Sequence, residues 1–426
     1  MALSSPLFHL FRLSSASTKS HAGKSDAGLC AADRSPGRCT GRAGTAATPG
    51  VIEDDARARD WAALDNVAAD RLWLRPLGLL HGRAVGEAVA AGLARPLAGG
   101  DLAFTLVAAF GLGSDDRPAS VTAPIAALEG WLAGIGGRFA DRTQERLALL
   151  SAPRSPWAGF ALDRPLVMGV LNVTPDSFSD SGRWFDAERA VARGHALIEA
   201  GADIVDVGGE STRPGAVELA ADEEIRRVEP VVRALAEGGA VVSVDTRHPP
   251  VLEVALNAGA RIVNDISALT HQPDSLALVA RYQAPVVLMH MLGEPQTMQR
   301  QPVYHSPLVE ILEYLEARIA ACDAVGVSRD RIVVDPGIGF GKLVKHNLEL
   351  LAGVGAIHAL GCGTLIGVSR KSMIARLSGG EPPNERLPGS LAAGLFAVQQ
   401  GVQILRVHDV AETRQALALW RAISGA

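Results

Sequence analysis

The chain is predicted to be an α/β protein: a (β/α)8 TIM barrel with a small N-terminal α+β extension and a disordered N-terminal tail. Three observations carry this prediction. From about residue 165 onward, strand-length apolar runs alternate eight times with segments of helical spacing. The runs are apolar on both faces, as strands covered by helices are. Each run also ends in polar residues, at the strand ends where such barrels place their chemistry. An open doubly wound sheet is the alternative, but eight even repeats without a break favour closure.

The elements follow in order. Residues 1–50 are rich in Ser, Ala, Gly and Arg, with acid only at Asp26 and Asp33, a composition that cannot build a core. They read as a disordered tail and loosely match an organellar transit peptide; His9 and Arg12 interrupt the apolar segment that a secretory signal needs. Residues 51–155 are foldable, with apolar stretches at 72–80 and 103–112 and a helical pattern over 125–150. No polar constellation there suggests chemistry, so they read as a small appendage of unassigned role. The barrel domain is expected over 160–426. Its strands are read at 166–172, 203–208, 240–245, 261–264, 285–290, 332–335, 364–369 and 402–407. Its helices are read at 186–200, 222–237, 249–258, 274–282, 307–325, 346–360, 385–400 and 409–423. The acidic residues on 186–200 and 222–237 are taken as solvated faces.

Bulk properties narrow the function. A net charge of −5 excludes a basic surface for nucleic acid or an anionic membrane. No run approaches the roughly 18 apolar residues of a membrane span. The four cysteines are scattered, which fits a reduced, cytoplasmic setting and disfavours zinc. Only five of the 41 basic residues are Lys, yet Lys342, Lys345 and Lys371 fall close together, suggesting a site that needs an ammonium group.

The strand ends supply Asn172, Asp206 with Glu210, Asp245, Asn264 with Asp265, His290, Asp335, Ser369 with Lys371, and Arg406 with His408. Asp245, Asn264 and Asp335 suit a flat heterocycle with N–H donors and a carbonyl. Thr212, Arg213, Arg406 and His408 suit phosphate oxygens. Asn172 offers a neutral oxygen, appropriate for Mg2+ already held by phosphates and water. The glycine-rich run 335–342 brings backbone close to a ligand and carries Phe340 to cover it. Asp206 and Glu210 are read as holding the 209–221 loop, His290 as a packed histidine or a contact, and Lys342 and Lys345 as loop-surface charges.

Seven stretches then carry a resemblance. They are 171–180 (Leu-Asn-Val-Thr-Pro-Asp-Ser-Phe-Ser-Asp), 209–215 (Gly-Glu-Ser-Thr-Arg-Pro-Gly), 243–246 (Ser-Val-Asp-Thr), 263–266 (Val-Asn-Asp-Ile), 335–342, 369–372 (Ser-Arg-Lys-Ser) and 406–409 (Arg-Val-His-Asp). Together, over about 165–424, the chain closely resembles the dihydropteroate synthase family. The resemblance implies a transferase of folate biosynthesis. Diphosphate on 6-hydroxymethyl-7,8-dihydropterin is displaced by the amine of p-aminobenzoate, with diphosphate leaving first. It implies Asn172 as the Mg2+ ligand. Asp245, Asn264, Asp335 and Lys371 form the pterin pocket, lined by Met289 and Phe340. Thr212, Arg213, Arg406 and His408 contact the diphosphate. Thr212, Pro214, Phe340 and Ser372 surround p-aminobenzoate, and loops 173–185 and 209–221 close over the substrates. Arg406, His408, Lys371 and Arg213 are the expected catalytic set. A sulfonamide-targeted homodimer is the family expectation. The rival readings are a methyltetrahydrofolate–corrinoid methyltransferase, which needs no diphosphate site, and a non-enzymatic pterin-binding paralogue.

Overall fold

The apolar stretches 72–80 and 103–112 become paired strands. The computed structural model describes residues 61–173, 183–211 and 219–425. The predicted tail, and Thr212, Arg213 and Pro214, lie outside the described residues. The extension runs β1 (Val67–His81), α1 (Arg83–Ala90), β2 (Arg95–Pro96), β3 (Leu102–Gly113), β4 (Pro118–Pro124), α2 (Ile125–Ile135) and α3 (Gly137–Ser151). β3 is central, antiparallel to β1 along one edge and to β2 and β4 along the other. The helical pattern over 125–150 is two helices rather than one. Gly136 and Gly137 separate them at φ +58 and +69, a left-handed backbone that glycine adopts without steric cost.

The strands of the barrel are β5 (Leu166–Asn172), β6 (Ile204–Gly208), β7 (Val242–Asp245), β8 (Ile262–Asp265), β9 (Val286–Met289), β10 (Ile332–Asp335), β11 (Gly363–Ile366) and β12 (Ile404–Val407). All are parallel, and β12 pairs with β5 through Arg406↔Met168 to close the ring. The predicted (β/α)8 fold is therefore correct. Its helices are α4 (Arg183–Glu199), α5 (Ala221–Glu237), α6 (Pro249–Asn257), α7 (Asp274–Tyr282), α8 (Pro307–Ala324), α9 (Val344–Ala352), α10 (Ser372–Leu377), α11 (Leu387–Gln399) and α12 (Val410–Ser424). Two differences from the sequence reading stand out. The helix read over 346–360 ends at Ala352, and Val354–Leu360 is a fully buried 3-10 turn. Burial on every side erases the amphipathic signal that marks a helix end. Helix α10, six residues long, was too short to show a period.

The barrel interior explains where the site must lie. Leu166 and Met168 on β5 form one buried cluster with Ile204, Ile262, Val287, Val333, Leu365 and Ile404 on other strands. Trp157 and Leu162 join it from the segment before β5, and the Trp157 indole donates to the Arg331 carbonyl at 2.9 Å. Side chains alternate along a strand, so inward positions recur every second residue. Two residues beyond this apolar layer, the inward positions are Asp206, Asn264, Met289, Asp335 and Arg406. The chain thus packs hydrocarbon at one end of the barrel and sets polar groups at the other.

The described residues of the extension and the barrel fall in one compact unit. Glu316 on α8 meets Arg142 at 2.5 Å and Arg146 at 3.2 Å, and Glu313 meets Arg71 at 2.9 Å. Arg146 has no exposed surface: it donates to the Leu72 and Asp70 carbonyls and lies 3.6 Å over the Trp73 ring. A cleft of about 610 Å3 lies between the two parts, lined by His81, Leu97, Arg164, Gln403 and Trp420 among others. Pro165 and Gln403 in its wall precede β5 and β12, so it sits at the face opposite the polar strand ends.

Candidate active site

At the carboxyl ends of the strands, one arginine ties the site together. Arg406 on β12 donates through Nε to Asp206 Oδ2 and through Nη2 to Asp245 Oδ2, both at 2.6 Å. Asn264 Nδ2 donates to the same Asp206 oxygen at 3.0 Å. Strands β12, β6, β7 and β8 therefore converge on one buried network. Asp206 was read from the sequence only as a loop support; here it has no exposed surface and forms the centre of the network. The signal that identifies it is register, since Asp206 stands two residues after the inward Ile204.

Charge in this network is strongly conditioned by burial. Burial pushes Asp245 up to about 7, Arg406 opposing the rise and Asp206 adding to it. Burial works against the Arg406 cation, but Asp206 and Asp245 outweigh it and its pKa is raised. Two of the five guanidinium N–H donors reach these carboxylates, so others remain for a ligand.

The second half of the site comes from β10, β11 and the turns after them. Asp335 ends β10 and is 6% exposed; its Oδ1 accepts the Gly337 N–H at 2.7 Å. Burial raises its pKa, opposed by that backbone bond and by Lys371. Lys371 Nζ lies 4.2 Å from the centre of the Phe340 ring, a cation–π contact. Burial and the neighbouring Arg406 lower Lys371 to about 8. Met289, 4% exposed, ends β9 beside the Gly337 turn. The turn that delivers Lys371 is itself held: Arg370 adopts φ +59, and its guanidinium forks onto Asp409, with Nε to Oδ2 at 3.0 Å. Its N–H donates to Ser390 Oγ at 2.9 Å. His408 Nδ1 lies 3.0 Å from Ser369 Oγ, and burial with Arg406 lowers its pKa to about 4. It is a neutral imidazole at pH 7.

Asp245, Asn264, Met289, Asp335, Phe340, Lys371, Arg406 and His408 thus share one end of the barrel, most of them joined by direct contacts or by charge coupling. Asn172 ends β5 opposite Gly208, next to the strand that carries Asp245. Ser372 opens α10 and is exposed. The expected roles of Thr212, Arg213 and Pro214 fall outside the described residues, as do parts of both loops expected to close.

Beside the site, Glu210, Glu224 and His248 bring one ligand atom each within 4.8 Å of one another. Glu224, expected on a solvated helix face, is instead fully buried at the first turn of α5. His248 Nε2 lies 4.0 Å from Glu224 Oε2. Burial raises it to about 8, the Thr246 hydroxyl opposing and Glu210 adding to the rise. Lys345 is exposed as expected, whereas Lys342, read as a surface charge, is 3% exposed.

Comparisons with known proteins agree with this arrangement. Residues 168–408 match the family model described as pterin binding enzyme. Dihydropteroate synthase of Escherichia coli strain K12 is 47% identical over 262 residues, covering 61% of this chain and 92% of that protein. The solved structure of Xanthomonas albilineans dihydropteroate synthase with 4-aminobenzoic acid is 47% identical. Its TM-score is 0.60, over 63% of this chain and 97% of that one. The same enzyme in complex with 7,8-dihydropteroate matches at 42% identity and TM-score 0.56, with the same coverage. No helix among the described residues is long and apolar enough to cross a membrane. The chain belongs to the pterin binding enzymes, within the dihydropteroate synthase family of transferases.

Proposed function

We propose that this chain joins 6-hydroxymethyl-7,8-dihydropterin diphosphate to p-aminobenzoate, giving 7,8-dihydropteroate and diphosphate with Mg2+ present. The observation that carries the reading is the Arg406 network. It combines a fixed guanidinium with carboxylates and an amide at the mouth of a closed barrel, matching a cation site for diphosphate beside a polar pocket for a heterocycle.

In this reading the pterin lies among Asp245, Asn264, Asp335, Lys371, Met289 and Phe340. Carboxyl oxygens accept from its N–H groups, the Asn264 amide answers its carbonyl, and the apolar side chains exclude water. Thr212, Arg213, Arg406 and His408 take the diphosphate. Arg406 and Arg213 stabilise charge as the carbon–oxygen bond to diphosphate breaks. Buried Asp335 and Asp245 then face the electron-poor methylene carbon. The arylamine lone pair forms the new carbon–nitrogen bond, and its proton passes to diphosphate or solvent. Because that lone pair is already available, no strong general base is required. Thr212, Pro214, Phe340 and Ser372 are proposed around p-aminobenzoate. Asn172 fits a Mg2+ role as a neutral oxygen at the strand mouth, a donor that suits an ion held chiefly by phosphate and water. The ion, when bound, neutralises leaving-group charge. The reading extends to a cytoplasmic homodimer, supported by the buried free thiols Cys322 and Cys362 for the compartment and by the family resemblance for the dimer.

The test follows dihydropteroate and released diphosphate together, from the purified chain with both substrates and Mg2+. Both products, lost with EDTA and in Asn172→Ala, are expected. Diphosphate without dihydropteroate would refute the p-aminobenzoate site. Pterin binding without either product would leave a binding protein rather than an enzyme.

A further inference from the structure

We propose that Lys342 is a positioning residue that fastens the turn between β10 and α9 to the end of β9, and so sets Phe340 and Lys371 in the site. The residue lies two positions beyond Phe340 and, of the residues assigned to the substrates, hydrogen-bonds only the Phe340 backbone carbonyl. Its Nζ lies 2.9 Å from His290 Nδ1, 2.9 Å from the Phe340 carbonyl oxygen and 3.3 Å from the His290 carbonyl oxygen. An ammonium group has three N–H donors, and all three acceptors are buried or nearly so. Burial lowers Lys342 to about 7, Asp335 opposing the fall, and with Lys342 as the ammonium, His290 Nδ1 accepts and carries its proton on Nε2.

His290 is a firm anchor. It follows β9, is 6% exposed, and packs edge-on against the Tyr314 ring of α8 at 4.9 Å. Burial, with Lys342 adding, lowers it to about 2, so it stays a neutral acceptor. The far end of the clamp is the Phe340 peptide, whose ring carries the Lys371 ammonium. Other bonds hold the same turn at different points: Gly337 N to Asp335, Gly339 N to Asn347 Oδ1 at 2.7 Å, and Tyr304 OH to the Gly341 carbonyl at 3.0 Å. Lys342 alone, among the described bonds, ties the Phe340 carbonyl to β9. Arginine is a poor substitute, because a planar fork cannot converge three donors on acceptors grouped around one nitrogen.

The proposal rests on the pterin reading of the site, and the experiment separates the two. Hydrogen exchange of the ligand-free full chain is measured in Lys342→Met and Lys342→Gln, with KM and kcat for each substrate. The expected result is exchange about tenfold faster at the 337–341 amides with β5–β8 unchanged. KM for the pterin diphosphate rises by about tenfold, with a smaller change in kcat. Unchanged exchange at 337–341 overturns the clamp. Faster exchange throughout the barrel makes Lys342 merely structural and overturns the positioning role, as does faster local exchange with wild-type KM. A wild-type chain that makes no dihydropteroate refutes the proposed function, while exchange still decides the clamp.

Discussion

Arg406 holds Asp206 and Asp245 while keeping donors for a ligand, so one side chain builds the pocket and, in the proposed reaction, also meets the charge developing on the leaving group. Arg406→Ala is expected to lower kcat/KM on the order of 100- to 1,000-fold, because it removes that donor and leaves two carboxylates unpaired. Near-normal turnover in a steady-state assay would remove Arg406 from the mechanism. Lys371 is lowered to about 8, so its charge fades as pH rises past that value. If turnover needs the cation, kcat/KM falls on the alkaline side near pH 8, and Lys371→Met shows no such limb. Glu224 makes a stability prediction with a definite sign. Its pKa is raised to about 8 in the folded state, so the folded protein holds the proton where the unfolded chain releases it. That stability is complete below the unfolded carboxyl range, near pH 4, and is lost as pH rises toward 8. Thermal melts of the wild type are expected to fall over that window, and those of Glu224→Gln to fall less.

The turn from β10 into α9 brings Phe340 over Lys371, and glycine makes it feasible. Gly337 has φ +69, and a Cβ there would lie 1.9 Å from the His290 carbonyl oxygen. Gly337→Ala is expected to cost more than about 2 kcal/mol in denaturant unfolding, since both the conformation and the space exclude a side chain. The β11–α10 turn uses a different device: Arg370 is held at φ +59 by Asp409 and Ser390. Both turns were marked in the sequence as motifs, but their anchors were not: Ser390 and His290 lie 20 and 52 residues from the groups they hold, and Asn347, eight residues from Gly339, carries no local sign of its bond. The same limit explains the surface reading of Lys342. Nothing local announces that a lysine in a glycine-rich loop will be covered.

On the scale of the molecule, the extension is docked by ion pairs on α8 and by the buried Arg146. It also covers the 3-10 turn 354–360: the Arg154 guanidinium donates to the His358 carbonyl at 2.8 Å, and Pro76 packs against Gly355. A chain starting near residue 156 is therefore expected to express mainly in the insoluble fraction, because it uncovers apolar surface on that turn and on the barrel face beneath β1. Soluble, active protein from such a truncation would show the extension to be dispensable for folding.

The sequence by itself determined the eightfold alternation of strand and helix, the polar strand ends and the seven stretches that resemble one family. These are local signals: hydropathy periods, turn residues and short motifs that survive without knowledge of what packs where. Tertiary structure alone decided that Asp206 is the centre of the site, that Glu224 and Lys342 are buried, and that Val354–Leu360 is a covered turn beneath the extension. Each depends on separated residues meeting in space, from Glu224 and Glu210, 14 positions apart, to Pro76 and Gly355, 279 apart. Burial, which sets both protonation and hydrogen-bond satisfaction, is a property of that meeting and has no local signature.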